Sequence, residues 1–584
     1  MAAFCALVLW GLGWGVPSSE KARLEGASAE RMRKLPPEAV HESWQIWGSR
    51  GRRSGVAELF PRHLFNPVRS YHPDEYQVFK SLSNMRPGSL DFDPGNYIYP
   101  SLHTYLVGAA EGACGLLGIV RLKSDLGYYF EHPDEMGRMY LVGRVLSLLA
   151  AAGALLLVWR VGESMGRGTG LIALVLLAAM PAFGVHAHNL TRDTCAALAA
   201  VALFACCRKV AETGEGKWFD LAGAAAGLCV AFQYFAVVLW GLIPLAAVLW
   251  LRREVGSKRA AAAGVGVSLV VMAAMFGLTN PYHLLHIDRF LADFRSETVH
   301  VGGGLAARVL SLGWATHLPS MLPALVAWPM ALWLGVGAVV AVVRRRADDW
   351  LLLGWLVLWA AVVGLDGRAY SRYYVPLLPA LALLGSQAII ALKDAASGRA
   401  RWVGRAAMAL VLAGVVGPAA ATTWAWSRLY SRENVRTVAG EWIAANVPAG
   451  ARVGMNKWPW QFEMPPIDPG RYRLVVLEDS AEHSPYDLPR LLQSRPDYFV
   501  TSSLQYGNML RRPAEDEAGR FWQALFHGGG PYRVAKRFRI PLRVFGHEVD
   551  LLEYPEDMRY VNPVIDVLER SVSEARAGSA RSGG

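Results

Sequence analysis

The sequence predicts a polytopic α-helical membrane protein, about 11 spans plus a horizontal or re-entrant helix, carrying a C-terminal extracytoplasmic α/β domain. Three observations point there. The chain of 584 residues is 53% hydrophobic with a mean hydropathy of +0.23, too apolar for an ordinary soluble enzyme. Its apolar residues gather in blocks of about 17–25, the length a helix needs to cross the hydrocarbon. Beyond residue 429 those blocks give way to short alternating runs.

In chain order, residues 3–16 are apolar but short, and no basic stretch precedes them, which suits a short first span better than a cleaved leader. Residues 17–100 form a polar first loop. The run 101–120 is apolar but interrupted by Glu111 and four glycines. Clear spans follow at 139–158, 170–186, 194–207, 219–234, 236–251, 260–279, 320–343, 350–366, 373–392 and 402–425. The loops at Arg160/Arg167, Arg208/Lys209, Arg252–Arg259, Arg344–Arg346 and Lys393–Arg405 are basic, and placing them in the cytoplasm fixes every orientation. With a cytoplasmic N-terminus the first loop is then outside, and parity requires that 101–120 does not cross. Lys21, Arg23, Arg31, Arg33 and Lys34 carry the wrong sign for that side, but long loops translocate despite such charge.

Residues 1–429 are therefore read as a transmembrane domain and 430–570 as a soluble extracytoplasmic α/β domain. Strand-like runs are ARVGMN, YRLVVLED, PDYFVTSS, YRVAKRFRI and EVDLLEY, with helices at 434–446 and 515–526. The tail 571–584 has the composition of a disordered segment. No GxGxxG turn argues for a dinucleotide. The formal charge of +11 does not form a basic stripe with interleaved aromatics, so nucleic acid is not expected as a partner. The six cysteines lie in or beside apolar segments, and no zinc spacing is present. Abundant Ala, Arg and Gly suit a GC-rich bacterial genome, hence a bacterial plasma (inner) membrane.

Four polar groups face the outer side in this topology. The first is the loop around Asp74 and Glu75, with His72, Tyr76 and, further on, Asp91, Asp93 and Tyr99. Carboxylates beside a bilayer are expensive unless they face water or a partner, so the cluster marks a site. The second is His186, His188, Asn189, Arg192 and Asp193, where Asp193 also suits a helix N-terminus. The third, Asn280 to Glu297, reads as a polar surface helix. The fourth is Asp366, Arg368, Arg372, Tyr373 and Tyr374 ahead of Pro376 and Pro379, an arginine at the membrane interface suited to a phosphate or merely snorkelling there.

The order of these motifs resembles the membrane-embedded C-type glycosyltransferases, the group of protein O-mannosyltransferases and lipid A aminoarabinose transferases. HPDEYQ matches their Asp-Glu loop, YPSLHTYL the proline-aromatic run after it, and GRVLSLLAAAGALLLVWRVG the next span. HNLTRD matches their second loop acid, TNPYH an asparagine-proline loop, and SRYYVPLLPALALL an Arg-Tyr-x-x-Pro-x-x-Pro span. A second HPDE at His132–Glu135 departs from that pattern; the first pair is preferred, because the second abuts a span with no Tyr/Pro-rich run after it.

The resemblance implies transfer of one hexosyl or pentosyl unit from a polyprenyl-phosphate carrier to a protein, lipid or glycan acceptor on the outer side. It implies Asp74 as the base, with Glu75 and Asp193 positioning hydroxyls or sharing that role. Arg372, with Arg192, His103 and Tyr373, would bind the donor phosphate. His72, Tyr76 and Tyr99 would contact acceptor or sugar. No resident cofactor is implied; a divalent metal bridging phosphate and carboxylate is conceivable among so many acids, but no ligand set supports one. The rival readings are a transporter of a lipid-linked or small polar substrate and a non-catalytic scaffold. Spans almost free of ionisable residues speak against the first, and the acids around Asp74 against the second.

Overall fold

The computed structural model describes residues 1–35, 66–253, 256–300, 313–363, 370–395, 401–458, 462–478, 483–507, 509–510, 516–526 and 530–571, with positions 37, 40 and 44. The expectations for Asp366, Arg368 and the tail beyond residue 571 lie outside the described residues.

Six helical stretches among the described residues are long and apolar enough to cross a membrane: Pro133–Met165, Asp193–Thr213, Tyr234–Leu251, Lys258–Thr279, Ser371–Ala395 and Trp402–Asn446. A seventh is counted if Thr169–Ala179 and Pro181–Ala187, bent by 69°, form one span. The protein is thus a polytopic helical membrane protein. Several of the other apolar blocks are broken or short. Pro181 breaks 170–186, since it cannot donate the helical hydrogen bond. The block 320–343 is divided between Gly313–Val326 and Trp328–Arg344 at Ala327, whose φ is +72°. Gly216–Phe232 stops at Gln233 after 17 residues. The run 101–120 yields a 15-residue helix, Leu102–Leu116, shorter than a crossing requires.

The second HPDE sequence opens the helix Pro133–Met165. Pro133 occupies its first turn, Asp134 accepts from Ser19, and Glu135 pairs with Arg138 at 2.9 Å. These are acids in the first turn of a helix, where their charge offsets the helix dipole. Further along the same helix, Gly162 packs against Gly170 so closely that a Cβ on Gly170 would lie 1.9 Å from the Trp159 carbonyl oxygen. Small residues let the two helix backbones touch there.

The strands lie in the C-terminal part: β1 Arg452–Lys457, β2 Arg473–Glu478, β3 Tyr498–Ser502, β4 Tyr532–Phe538, β5 Leu542–Val544, β6 His547–Val549 and β7 Ile565–Arg570. Five form one sheet in the order β2-β1-β3-β7-β4, parallel among β2, β1 and β3 and antiparallel on both sides of β7. Period-2 alternation sends Val567 to the face packed on helix Val435–Asn446 and Leu568 to the face packed on helix Glu517–Phe526. EVDLLEY differs from its expected strand: only its first residues join the β5–β6 ribbon, and Leu551–Glu553 is a 3₁₀ turn.

Candidate active site

The chain turns at Tyr71–Asp74 and enters the helix Tyr76–Asn84, sending the two neighbouring acids in different directions. Glu75 is fully buried. Its carboxylate receives Arg144 through Nε and Nη2, each at 2.8 Å, with the Ser70 hydroxyl at 2.5 Å and the Leu190 amide at 2.8 Å. Burial would raise its pKa; Arg144 reverses this and holds it below the usual range. Arg144, itself 0% exposed, also donates to the carbonyls of Leu12 and Trp14, both at 2.6 Å. Both oxygens of Glu75 are occupied by Arg144, Ser70 and the Leu190 amide, and the residue anchors the loop to the first long span.

Asp74 points instead into a cleft. There it pairs with Arg372, the two side chains being 15% and 13% exposed. Arg192, Asp193, Tyr99 and His103 line the same cleft. The Arg192 guanidinium lies over the Tyr99 ring at 3.7 Å, and Arg372 is flanked by Tyr370 at 4.5 Å and Tyr373 at 5.4 Å. Asp193 accepts from Gln233 Nε2 at 2.8 Å, with His186 Nδ1 3.9 Å away. Among the described residues, Nε of Arg192, Nε of Arg372 and Nε2 of His103 are buried without a hydrogen-bond partner. Buried donors are almost always satisfied, so two orphaned arginine Nε–H groups beside an unpartnered imidazole nitrogen indicate a place for an acceptor-rich ligand.

Burial alone would raise the Asp74 carboxyl, but Arg372 beside it, with His72 and Arg192 further off, brings it below its ordinary value. Burial, aided by Arg192, pushes the His103 imidazole down to about 3, so it is neutral. Among the described residues no group of three or more His, Cys, Asp or Glu is placed to hold a metal ion.

Asp74, Asp193, Arg192, Arg372, His103 and Tyr99 therefore converge, while Glu75, His72, Tyr76 and Tyr373 do not line the cleft. Tyr76, expected in acceptor binding, turns into a buried aromatic cluster, stacks on Trp44 and donates to its carbonyl at 3.0 Å. His72, also expected there, packs edge-on against Tyr560 at 5.6 Å, while its Nδ1 accepts from the Asp74 amide at 3.3 Å. The asparagine-proline group is not a surface helix alone. Asn280 accepts from the Ser101 amide at 2.6 Å, Asp293 from the Tyr97 amide at 3.0 Å, and Tyr282 from the Phe92 amide at 2.8 Å. These bonds clasp the segment that carries Tyr99.

Arg144 and Asp557 were missed. Arg144 is a cation inside a span, so the spans are less free of charge than supposed; a buried arginine must have an anionic partner, and that signal was present. Asp557, on the short helix Glu556–Arg559, accepts from Ser371 and from the Arg372 amide, each at 2.9 Å. Nothing in its local sequence distinguishes it.

No curated protein matches this chain. Among solved structures, ArnT from Cupriavidus metallidurans bound to undecaprenyl phosphate is similar at 14% identity and a TM-score of 0.41, over 97% of each chain. The same protein in the apo state gives 14% and 0.39, again over 97% of each. An Archaeoglobus fulgidus oligosaccharyltransferase complex with Zn and sulfate gives 13% and 0.38, over 75% of this chain and 64% of that one. Residues 136–278, which run from the first long span to the end of Lys258–Thr279, match the dolichyl-phosphate-mannose-protein mannosyltransferase family, a member of the membrane glycosyltransferase group that the motif order resembles.

Proposed function

We propose that the protein is an inverting glycosyltransferase that moves a single sugar from a polyprenyl-phosphate carrier to an acceptor on the extracytoplasmic side. The observation that carries this reading is the Asp74–Arg372 pair, set in a cleft beside Arg192 and Asp193 with unpartnered donors around it. The family match supports a lipid-phosphate sugar as donor, and the alternation of basic loops supports the side.

The leaving group is a phosphate, already a good one, so the two-carboxylate arrangement of glycosidases is not required. Asp74 takes the proton from the acceptor's hydroxyl or amine as it attacks the anomeric carbon, which inverts. Arg372 and Arg192 offset the charge that develops on the departing phosphate, where preorganised cations contribute most. The neutral His103 can donate one hydrogen bond to it. Asp193, fixed by Gln233, is placed to orient sugar or acceptor hydroxyls. The pairing of Asp74 with Arg372 adds a gate. Before the donor binds, the arginine keeps the carboxylate weakly basic; a phosphate that draws the guanidinium away restores its basicity. Residues 430–570 would cover this site on the outer side.

The test is to incubate membranes containing the protein with radiolabelled polyprenyl-phosphate sugars and separate protein from lipid. Label transferred to either fraction supports the reading and identifies the acceptor class; no transfer from any such donor rejects it. Arg372→Ala is expected to raise the donor KM about tenfold or more, a loss of one charge-assisted contact, and to leave the acceptor KM nearly unchanged. Because Arg372 is what depresses Asp74, the acid limb of kcat/KM should move to higher pH in that variant. An increased acceptor KM with an unmoved limb would reject the phosphate role.

A further inference from the structure

We propose that Asp557 is a positioning residue for Arg372, so that the C-terminal part of the chain forms the back wall of the reaction site. This rests on the reading of Arg372 given above. The segment Ser371–Leu377 is a 3₁₀ turn, and the first amides of such a turn have no acceptor within it. Asp557 supplies that acceptor from 186 positions away: its Oδ1 receives the Ser371 amide, and its Oδ2 the Ser371 hydroxyl and the Arg372 amide, all at 2.9 Å. The residue is 2% exposed. Its bonded partners among the described residues are these two amides and one hydroxyl, and His186 Nε2 lies 3.7 Å from Oδ2 and 2.8 Å from Ser371 Oγ.

A buried carboxylate without a bonded cation is costly, and a simple tertiary contact does not require one. Its geometry does have a use. Holding consecutive amides at 371 and 372 fixes the backbone from which the Arg372 side chain leaves, and so fixes its approach to Asp74. The same stretch holds the other half of the pair. Tyr560 packs edge-on against His72, whose Nδ1 receives the Asp74 amide. One short segment thus touches the backbone support of both members. A displacement of about 1 Å at such a group reduces rate by about 10²-fold.

The experiment uses the full-length protein, unaltered and as Asp557→Asn, Arg372→Ala and the double variant. Asparagine keeps the shape but presents an NH₂ group toward amides that need an acceptor. Amide hydrogen exchange at Ser371–Arg372 is expected to quicken in Asp557→Asn, and the donor KM to rise about tenfold or more with the acceptor KM unchanged. In the Arg372→Ala background the same substitution should add little, since a residue that acts through Arg372 has nothing left to position. Unchanged exchange, or losses that multiply in the double variant, overturn the inference. Should Asp557→Asn fail to fold, Ser371→Ala removes one of the three bonds, and an unchanged donor KM there overturns it equally. Faster exchange in Asp557→Asn together with no sugar transfer by the unaltered protein would remove the glycosyltransferase reading and reduce Asp557 to a backbone support, whereas transfer by the unaltered protein with unchanged exchange would overturn the inference alone.

Discussion

Asp74→Asn is expected to abolish sugar transfer while the protein accumulates and folds normally. The substitution preserves volume and removes only the charge and the capacity to accept a proton, which for a general base is about 10²–10⁴-fold in rate. Folding should tolerate it because Asp74 is 15% exposed at the rim of a cleft rather than sealed in the core, and Arg372 keeps access to the same cleft. The kinetic signature is specific. With Asp74 neutral, Arg372 no longer has a competing anion, so donor KM stays level or falls while kcat collapses. Turnover by the purified variant, with size-exclusion behaviour as the control for folding, decides the matter; near-normal turnover removes Asp74 from the mechanism.

Arg144→Ala has the opposite signature, loss of the protein itself. The pair with Glu75 is 0% exposed on both sides, and removing the cation leaves a buried carboxylate and the Leu12 and Trp14 carbonyls without their donor. Breaking a buried pair in this way costs about 3–5 kcal/mol, a large share of the about 5–15 kcal/mol that holds a typical protein folded. Thermal unfolding in detergent at neutral pH should show a strongly lowered midpoint, and an unchanged midpoint would show that the pair carries no stability. The sign with pH follows from the depressed Glu75. Its contribution is complete above the ordinary carboxylate value, about 4.3 for an unfolded glutamate, and disappears as pH falls through the lower folded value. Arg144→Ala removes that acid-dependent share.

The membrane character and the convergence of Asp74, Asp193, Arg192 and Arg372 were legible in the sequence for one reason: charge beside apolar segments is expensive and is kept only where it has a partner. The division of labour between Asp74 and Glu75 was not legible. It depends on a turn that points adjacent side chains to opposite sides, and sequence adjacency carries no information about that. Arg144 escaped notice because apolar density over 20 residues hides a single cation. β7 was missed because Asp566 and Glu569 break its alternation. Only the fold reveals that Asp566 is 0% exposed and held by Arg537 at 2.6 Å and Tyr506 at 2.6 Å. Where the apolar blocks break was not legible, because periodicity does not register a single residue such as Ala327 at positive φ, or a 69° bend at Pro181.

The separations along the chain also give the site a history. Glu75 and Arg144 are 69 positions apart, whereas Asp74 and Arg372 are 298 apart. At a ribosomal rate of about 5–20 residues per second, the first pair can close within seconds, and the second waits roughly 15–60 s after Asp74 is made. During that interval Asp74 lacks the guanidinium it pairs with in the folded chain, on a loop already moored by its neighbour. Asp557 emerges later still. Under the proposed mechanism the scaffold is therefore an early product of biogenesis and the reactive centre a late one, so a chain interrupted between the two is expected to be anchored but inactive.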